Sequence, residues 1–153
     1  MVHPRNVPNS GNLGSIEIYP VAVAVDGLDS GIYHFDTVAH HLSVIRKGVF
    51  SDWLRHCILY QVEFARAAAA LVITSAVGRL TQKYGPRGYR LAHLDAGHVS
   101  AHIYLVATAL GVQVCATAGF IDAALDAALG LDGYEHASML VVLVGPQPPH
   151  GGP

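Results

Sequence analysis

Charge is scarce in this chain. Only 13% of its 153 residues are Asp, Glu, Lys or Arg, against roughly 25% in an average globular protein. The net charge of −2 gives no electrostatic case for binding nucleic acid, which calls for a basic stripe. Cysteine is scarce as well. Cys57 and Cys115 are the only two, far apart and in no Cys-x-x-Cys pair, so they read as reduced, buried thiols in a cytoplasmic protein. Long apolar runs are missing: none reaches the roughly 18 residues of a membrane span. The run Ala67–Ile73 is short and bounded by Arg66 and Arg79. The first residues, Met-Val-His-Pro-Arg-Asn, lack the apolar core of a signal peptide.

Apolar residues are what the chain has in excess, at 52%. Its length fits one domain, read here as residues 1–145 with a flexible Pro/Gly-rich tail over 146–153. A chain of this size buries about two thirds of its unfolded surface. The excess implies that both faces of the secondary structure are covered, or that apolar surface is shared between subunits.

Residues 1–15 hold Pro4, Pro8, Gly11 and Gly14 and read as irregular chain. Ile16–Val25 and Ile32–Phe35 read as strands of a hairpin, joined by the turn Asp26–Gly31, with a brief third strand over His40–Val44. Ser51 is the expected N-cap of a helix reaching Tyr60, with Asp52 in its first turn. A further helical piece is expected over Gln61–Ala67 and a buried strand over Ala69–Ala76. Gly85, Pro86 and Gly88 oppose a continuous helix, so Thr81–Tyr89 reads as loop or a broken turn. Leu91–Leu110 is the strongest helix, about 30 Å long and closed by Gly111. Its bulky residues contrast with small ones at Ala92, Ala96, Gly97, Ser100 and Ala101, which would admit a second helix backbone or a planar ring. Val112–Thr117 then reads as strand, Ile121–Leu129 as helix ending at Gly130, and Met139–Val144 as strand. Without a strict βαβ alternation the class is α+β.

Several motifs fail on inspection. His98 and His102 share a helix face, but Val99 stands where a zinc protease needs Glu, and no third ligand is evident, so no metal is expected. Gly11-Asn12-Leu13-Gly14 precedes a strand instead of opening a helix, which excludes a dinucleotide fingerprint. Neither a Gly-x-Ser-x-Gly elbow nor a Walker loop occurs. Lys83-Tyr84 differs in kind. A Lys beside a Tyr, followed by Arg87 and Arg90, can shift the proton affinity of either group and so suits proton abstraction from carbon. On composition alone an exposed loop is the plainer reading.

The ordered set of motifs says more than its members. Lys83-Tyr84-Gly85-Pro86-Arg87-Gly88-Tyr89-Arg90 is followed by Leu94-Asp95-Ala96-Gly97-His98, Ala109-Leu110-Gly111-Val112, Ala118-Gly119-Phe120-Ile121-Asp122 and Leu129-Gly130-Leu131-Asp132-Gly133. Together with Pro8–Leu13, Ile16–Tyr19 and Gly31–Asp36, this series resembles the SagB/ThcOx-type dehydrogenases of the FMN-dependent nitroreductase superfamily. The likeness runs in order from Val7 to Gly145.

The resemblance implies a mixed, largely antiparallel sheet flanked by helices, and usually a dimer with FMN at the subunit interface. It implies oxidation of a thiazoline or oxazoline in a peptide to the aromatic azole, during biosynthesis of a modified-peptide natural product. Lys83 and Tyr84 map onto the pair linked to proton removal. Pro8, Asn9, Ser10 and Gly11 would line the flavin, backbone N–H groups of Ala118 and Gly119 would face its ring, and the small face at Ala96, Gly97 and Ser100 would let the helix approach. Arg87 and Arg90 would hold phosphate or substrate. Family members reach the Pro8–Gly11 loop after a helical region that brings Arg residues to the FMN phosphate, whereas here only Arg5 precedes it. Asn9 stands where Ser is usual, and Ala101-His102 where Gln-Asn is common. The alternatives are a non-catalytic or split subunit of a peptide-modifying complex and a general NAD(P)H-dependent nitro or quinone reductase. The expected partners are a peptide substrate and a second subunit, identical or not.

Overall fold

The computed structural model describes residues 6–59 and 67–145. Among these residues six strands form one sheet: β1 (Ile16–Ala22), β2 (Gly31–Asp36), β3 (His41–Lys47), β4 (Ala69–Ser75), β5 (Gln113–Thr117) and β6 (Ala137–Gly145). Their order across the sheet is β3-β2-β1-β4-β6-β5. Every neighbouring pair among the described strands is antiparallel, in keeping with the largely antiparallel sheet that the resemblance implies. Four helices accompany it among the described residues: α1 (Ser51–Cys57), α2 (Val77–Tyr84), α3 (Arg87–Leu110) and α4 (Asp122–Leu129). The class is α+β, as expected.

Alternation along the central strands explains the apolar excess. Ala70 and Val72 of β4, with Val141 and Leu143 of β6, face Leu54 and Cys57 of α1 and Leu125 and Leu129 of α4. The intervening Leu71, Ile73, Leu140 and Val142 face Ala96, Val99 and Ile103 of α3. A strand places successive side chains on opposite faces, and here both faces are roofed by helices. Pro20 fits inside β1 because β2 pairs with β1 only at Val21 and Ala22. It therefore lies just past the end of that ladder, where a missing N–H is tolerated.

Four sequence readings need correction. Ser51 is the first helical residue of α1; the cap position belongs to Phe50, with no side-chain hydrogen bond. Phe50 instead packs edge-on against Trp53, ring centroids 5.8 Å apart, and that apolar contact sets where the helix starts. The helix stops at Cys57, not Tyr60, because Ile58 leaves to form a β-bridge with Phe120. Cys57 is buried but Cys115 is exposed, since it alternates outward on edge strand β5. Finally, Thr81–Tyr89 is helical on both sides of a break at Gly85 and Pro86: α2 runs through Tyr84, and α3 begins at Arg87. Val77, Leu80 and Tyr84 form its apolar face, and tertiary burial outweighs the breaker residues. Most of the expected helical piece at 61–67 and the tail at 146–153 lie outside the described residues.

Candidate functional site

The corner between α2 and α3 brings Lys83 and Tyr84 into position. Gly85 takes φ +61°, a conformation that favours glycine, and Pro86 precedes α3 in the helical region, where its missing N–H costs nothing. Gly88 lies one turn further on, inside α3. A Cβ there would stand 2.5 Å from Thr81 N and 2.6 Å from Leu80 C. The two helices thus meet backbone to backbone, and only glycine permits it.

Lys83 and Tyr84 occupy the last turn of α2. Tyr84 is half-buried against the cluster of Val77, Leu80 and Ala92, with Leu13, Leu91 and Met139 around it. The Lys83 ammonium lies 5.2 Å from the Tyr84 ring centroid, within cation–π range.

The Pro8–Gly11 segment comes to the same place. Ser10–Asn12 form one 3-10 turn, with Gly11 at φ +61°. A Cβ on Gly11 would collide with the Tyr84 hydroxyl and come 2.9 Å from Lys83 Nζ. Two residue groups far apart in sequence are therefore in contact.

Asp95 and Arg79 hold the turn there, and neither was singled out from the sequence. Asp95 of α3 is buried, at 2% exposure. Its carboxylate accepts the Ser10 backbone N–H, 3.0 Å from both oxygens, the Ser10 hydroxyl at 2.9 Å and the Ser15 hydroxyl at 3.3 Å. On the other side Arg79 of α2 donates from Nη1 to the carbonyls of Leu13 and Gly14, at 3.2 and 2.5 Å. The Ser15 carbonyl accepts from Ala76 N at 2.7 Å. The available signal was Asp95 itself, an acid three residues beyond Ala92 on a face of small residues. A carboxylate in that setting must find donors.

Ala118 and Gly119 follow the C-terminal end of β5, at the end of the sheet where β1 begins and β4 ends. The turn is braced: Gly119 N donates to Thr117 Oγ1 at 3.0 Å, and Gly119 O accepts from Leu59 N at 2.9 Å. The small residues of α3 divide between two faces. Ala92, Ala96 and Ser100 are buried, Ala96 against Ile16, Ile73 and Val142. Gly97 and Ala101 are exposed. Arg87 and Arg90 lie exposed in the first turn of α3, unpaired with any carboxylate among the described residues. His102 Nδ1 lies 2.9 Å from the His98 carbonyl oxygen, so that ring is engaged along its own helix. Pro8 is exposed, while Asn9 and Ser10 are half-buried.

On the opposite face of the sheet, His136 lies 3.5 Å from Thr74 Oγ1. Burial pushes its pKa below the ordinary value, Arg79 adds to the effect, and Glu17, Asp132 and Asp126 oppose it.

The Nitroreductase family model matches residues 3–145. The chain belongs to the nitroreductase family. Within it, the likeness to the SagB/ThcOx-type branch stands. The chain is 32% identical to the nitroreductase-family protein MJ1384 of Methanocaldococcus jannaschii, over 77% of this chain and 60% of that one. It is 26% identical to the trifolitoxin-processing protein TfxB of Rhizobium leguminosarum bv. trifolii, over 92% of this chain and 39% of TfxB. It thus spans less than two thirds of either curated relative. Among solved structures, a nitroreductase-family protein from Anabaena variabilis superposes with a TM-score of 0.83 at 30% identity, covering 94% of this chain and 29% of that one. A chain of the Escherichia coli microcin synthetase McbBCD complex, with truncated pro-MccB17 bound, gives 0.82 at 23% identity, covering 93% and 55%. That last likeness is one of fold. In this nitroreductase-family chain the Gly11 turn, Lys83, Tyr84 and Asp95 form one connected group.

Proposed function

We propose that this chain belongs to an FMN-dependent oxidoreductase that converts a peptide azoline to an azole, with Lys83 and Tyr84 as the base and acid or as the groups that hold the substrate ring. The observation that carries this reading is the contact of the Gly11 turn with Lys83 and Tyr84. It joins the two segments that the resemblance assigns to cofactor and chemistry. The likeness to TfxB supports the peptide-processing side.

Two features bear on a cofactor site. Asn9 Oδ1 is buried and has no hydrogen-bond partner among the described residues, an acceptor awaiting a donor. Gly11 sets its backbone directly against Lys83 and Tyr84, whose side chains already take up the place of a Cβ. Pro8, Asn9, Ser10, Gly11, Gly97, Ala118 and Gly119 would hold FMN, and the exposed guanidinium groups of Arg87 and Arg90 would meet phosphate or substrate. FMN would supply the two-electron acceptor that no side chain provides. The chain's own part is to seat the azoline ring and take its Cα proton.

The reading includes a second subunit. Leu94 and Leu105 of α3 are 52% and 67% exposed and align with Gly97 and Ala101 along one side of the helix, a stripe suited to an apolar partner. A cytoplasmic setting is in keeping with two unpaired cysteines.

Purified protein should carry, or take up, about one FMN per chain. The Lys83→Ala/Tyr84→Ala variant should keep that flavin and lose azole formation. Azole formation that survives in the variant removes the catalytic assignment. Colourless protein that refuses added FMN favours the non-catalytic subunit, and flavin-dependent quinone reduction without azoline oxidation favours the general reductase.

A further inference from the structure

We propose that Asp95 is the positioning residue of this site: it sets the Ser10–Gly11 turn at the distance from Lys83 and Tyr84 that the reaction uses. The inference deepens the functional reading above and rests on it for the meaning of "site". Its geometric basis is independent of any cofactor.

Three contacts close a triangle. Asp95 ties the turn to α3 through the Ser10 N–H, the Ser10 hydroxyl and the Ser15 hydroxyl. Gly88 locks α3 onto α2, because its approach to Thr81 leaves no room for sliding. Gly11 then meets Tyr84 and Lys83 at the end of α2. Asp95, Lys83 and Tyr84 therefore sit on one helical corner, and the turn is registered against it. Arg79 fixes only the far side of the turn, at Leu13 and Gly14. The residue that aims Ser10 and Gly11 is Asp95.

The chemistry of the anchor explains why it is a carboxylate. Three donor groups converge on it from one direction, and an ionised carboxylate offers acceptors only. Asn would match its shape, but the Ser10 N–H meets both carboxylate oxygens at 3.0 Å and, unlike the serine hydroxyls, cannot turn round to accept from an NH₂ group. A buried donor facing a donor forfeits its bond, so Asp95→Asn should release the turn without emptying the core.

The test is made first on protein without flavin. In Asp95→Asn, exchange of the Ser10 amide should accelerate at least tenfold, and the rate of Lys83 acetylation should rise several-fold as Gly11 lifts away. Exchange at Ile73 and Leu80 should stay unchanged. Ser10→Ala removes one donor and keeps the carboxylate, so it should move both readouts in the same direction by less. It also serves as the informative variant if Asp95→Asn does not fold. Unchanged Ser10 exchange and Lys83 labelling overturn the proposal, and so does a uniform acceleration of all amides, which would mark Asp95 as a general stabiliser. With FMN added, Asp95→Asn should bind it at least tenfold more weakly than the wild type, and equal binding also counts against the proposal. Failure of the wild type to bind FMN overturns the flavin reading, while the exchange and labelling results judge Asp95 separately.

Discussion

A methyl group on Gly11 would collide with the hydroxyl of Tyr84. The turn's backbone therefore rests directly on the end of α2, and the glycine also takes φ +61°, a left-handed conformation that costs other residues roughly 1–2 kcal/mol. Gly11→Ala should lower the melting temperature by a few degrees, given about 2–4 °C per kcal/mol for a chain of this size. It should lower any activity that depends on Lys83 and Tyr84 by tenfold or more. A thermal melt and a turnover assay on the same preparation check both.

Two glycines of α3 should respond to alanine with opposite signs. Gly88 abuts the backbone of Thr81, so Gly88→Ala must part the helices and should destabilise by about 1–3 kcal/mol, the range for overpacking. Nothing lies within 4 Å of a Cβ at Gly97. Gly97→Ala should therefore stabilise by about 0.5–1 kcal/mol, the helical gain over glycine. Denaturant midpoints for the two variants decide the matter.

Stability should fall on mild acidification, and His136 should carry part of the fall. Burial holds its folded pKa below the ordinary value of 6.5, so the fold favours the neutral ring. As pH drops below about 6.5 the unfolded chain takes up a proton before the folded one does, and stability decreases until the folded pKa is passed. His136→Gln should flatten that part of the stability–pH curve, which denaturation at a series of pH values would reveal.

The exposed stripe on α3 predicts self-association or capture by a related subunit. Leu94→Glu/Leu105→Glu places two charges on it and should shift the protein toward monomer. Sedimentation velocity compared with the wild type tests this, and an unchanged distribution would place the interface elsewhere.

The sequence revealed the strands and the long helix because periodicity and closing glycines report local structure. Gly111 and Gly130 do end α3 and α4 in left-handed conformations, and Asp36 turns β2 into β3 by accepting Val38 N and Ala39 N, each at 2.8 Å. The helical corner was legible only as a break, because Gly85, Pro86 and Gly88 look alike as breakers. Gly85 and Pro86 form the break; Gly88 serves a contact with another helix, which no local rule detects. The same limit hid Asp95 and Arg79, whose partners lie 65 to 85 residues away in sequence. Lys83, Tyr84 and Gly11 were identified by family likeness, and their contact became visible once the chain was folded.

The uneven ladders of the sheet carry a mechanical consequence. β1 is laced to β4 by seven residue pairs but to β2 by two, and β3 beyond it is exposed almost throughout. Ile32 is the fully buried plug that pins the β2–β3 hairpin to the core. Under rising denaturant the molecule should tear along that two-rung seam, shedding the hairpin as a unit. The corner bearing Lys83, Tyr84 and Asp95 would stay moored to the far side of the sheet, insulated from the first opening of the fold.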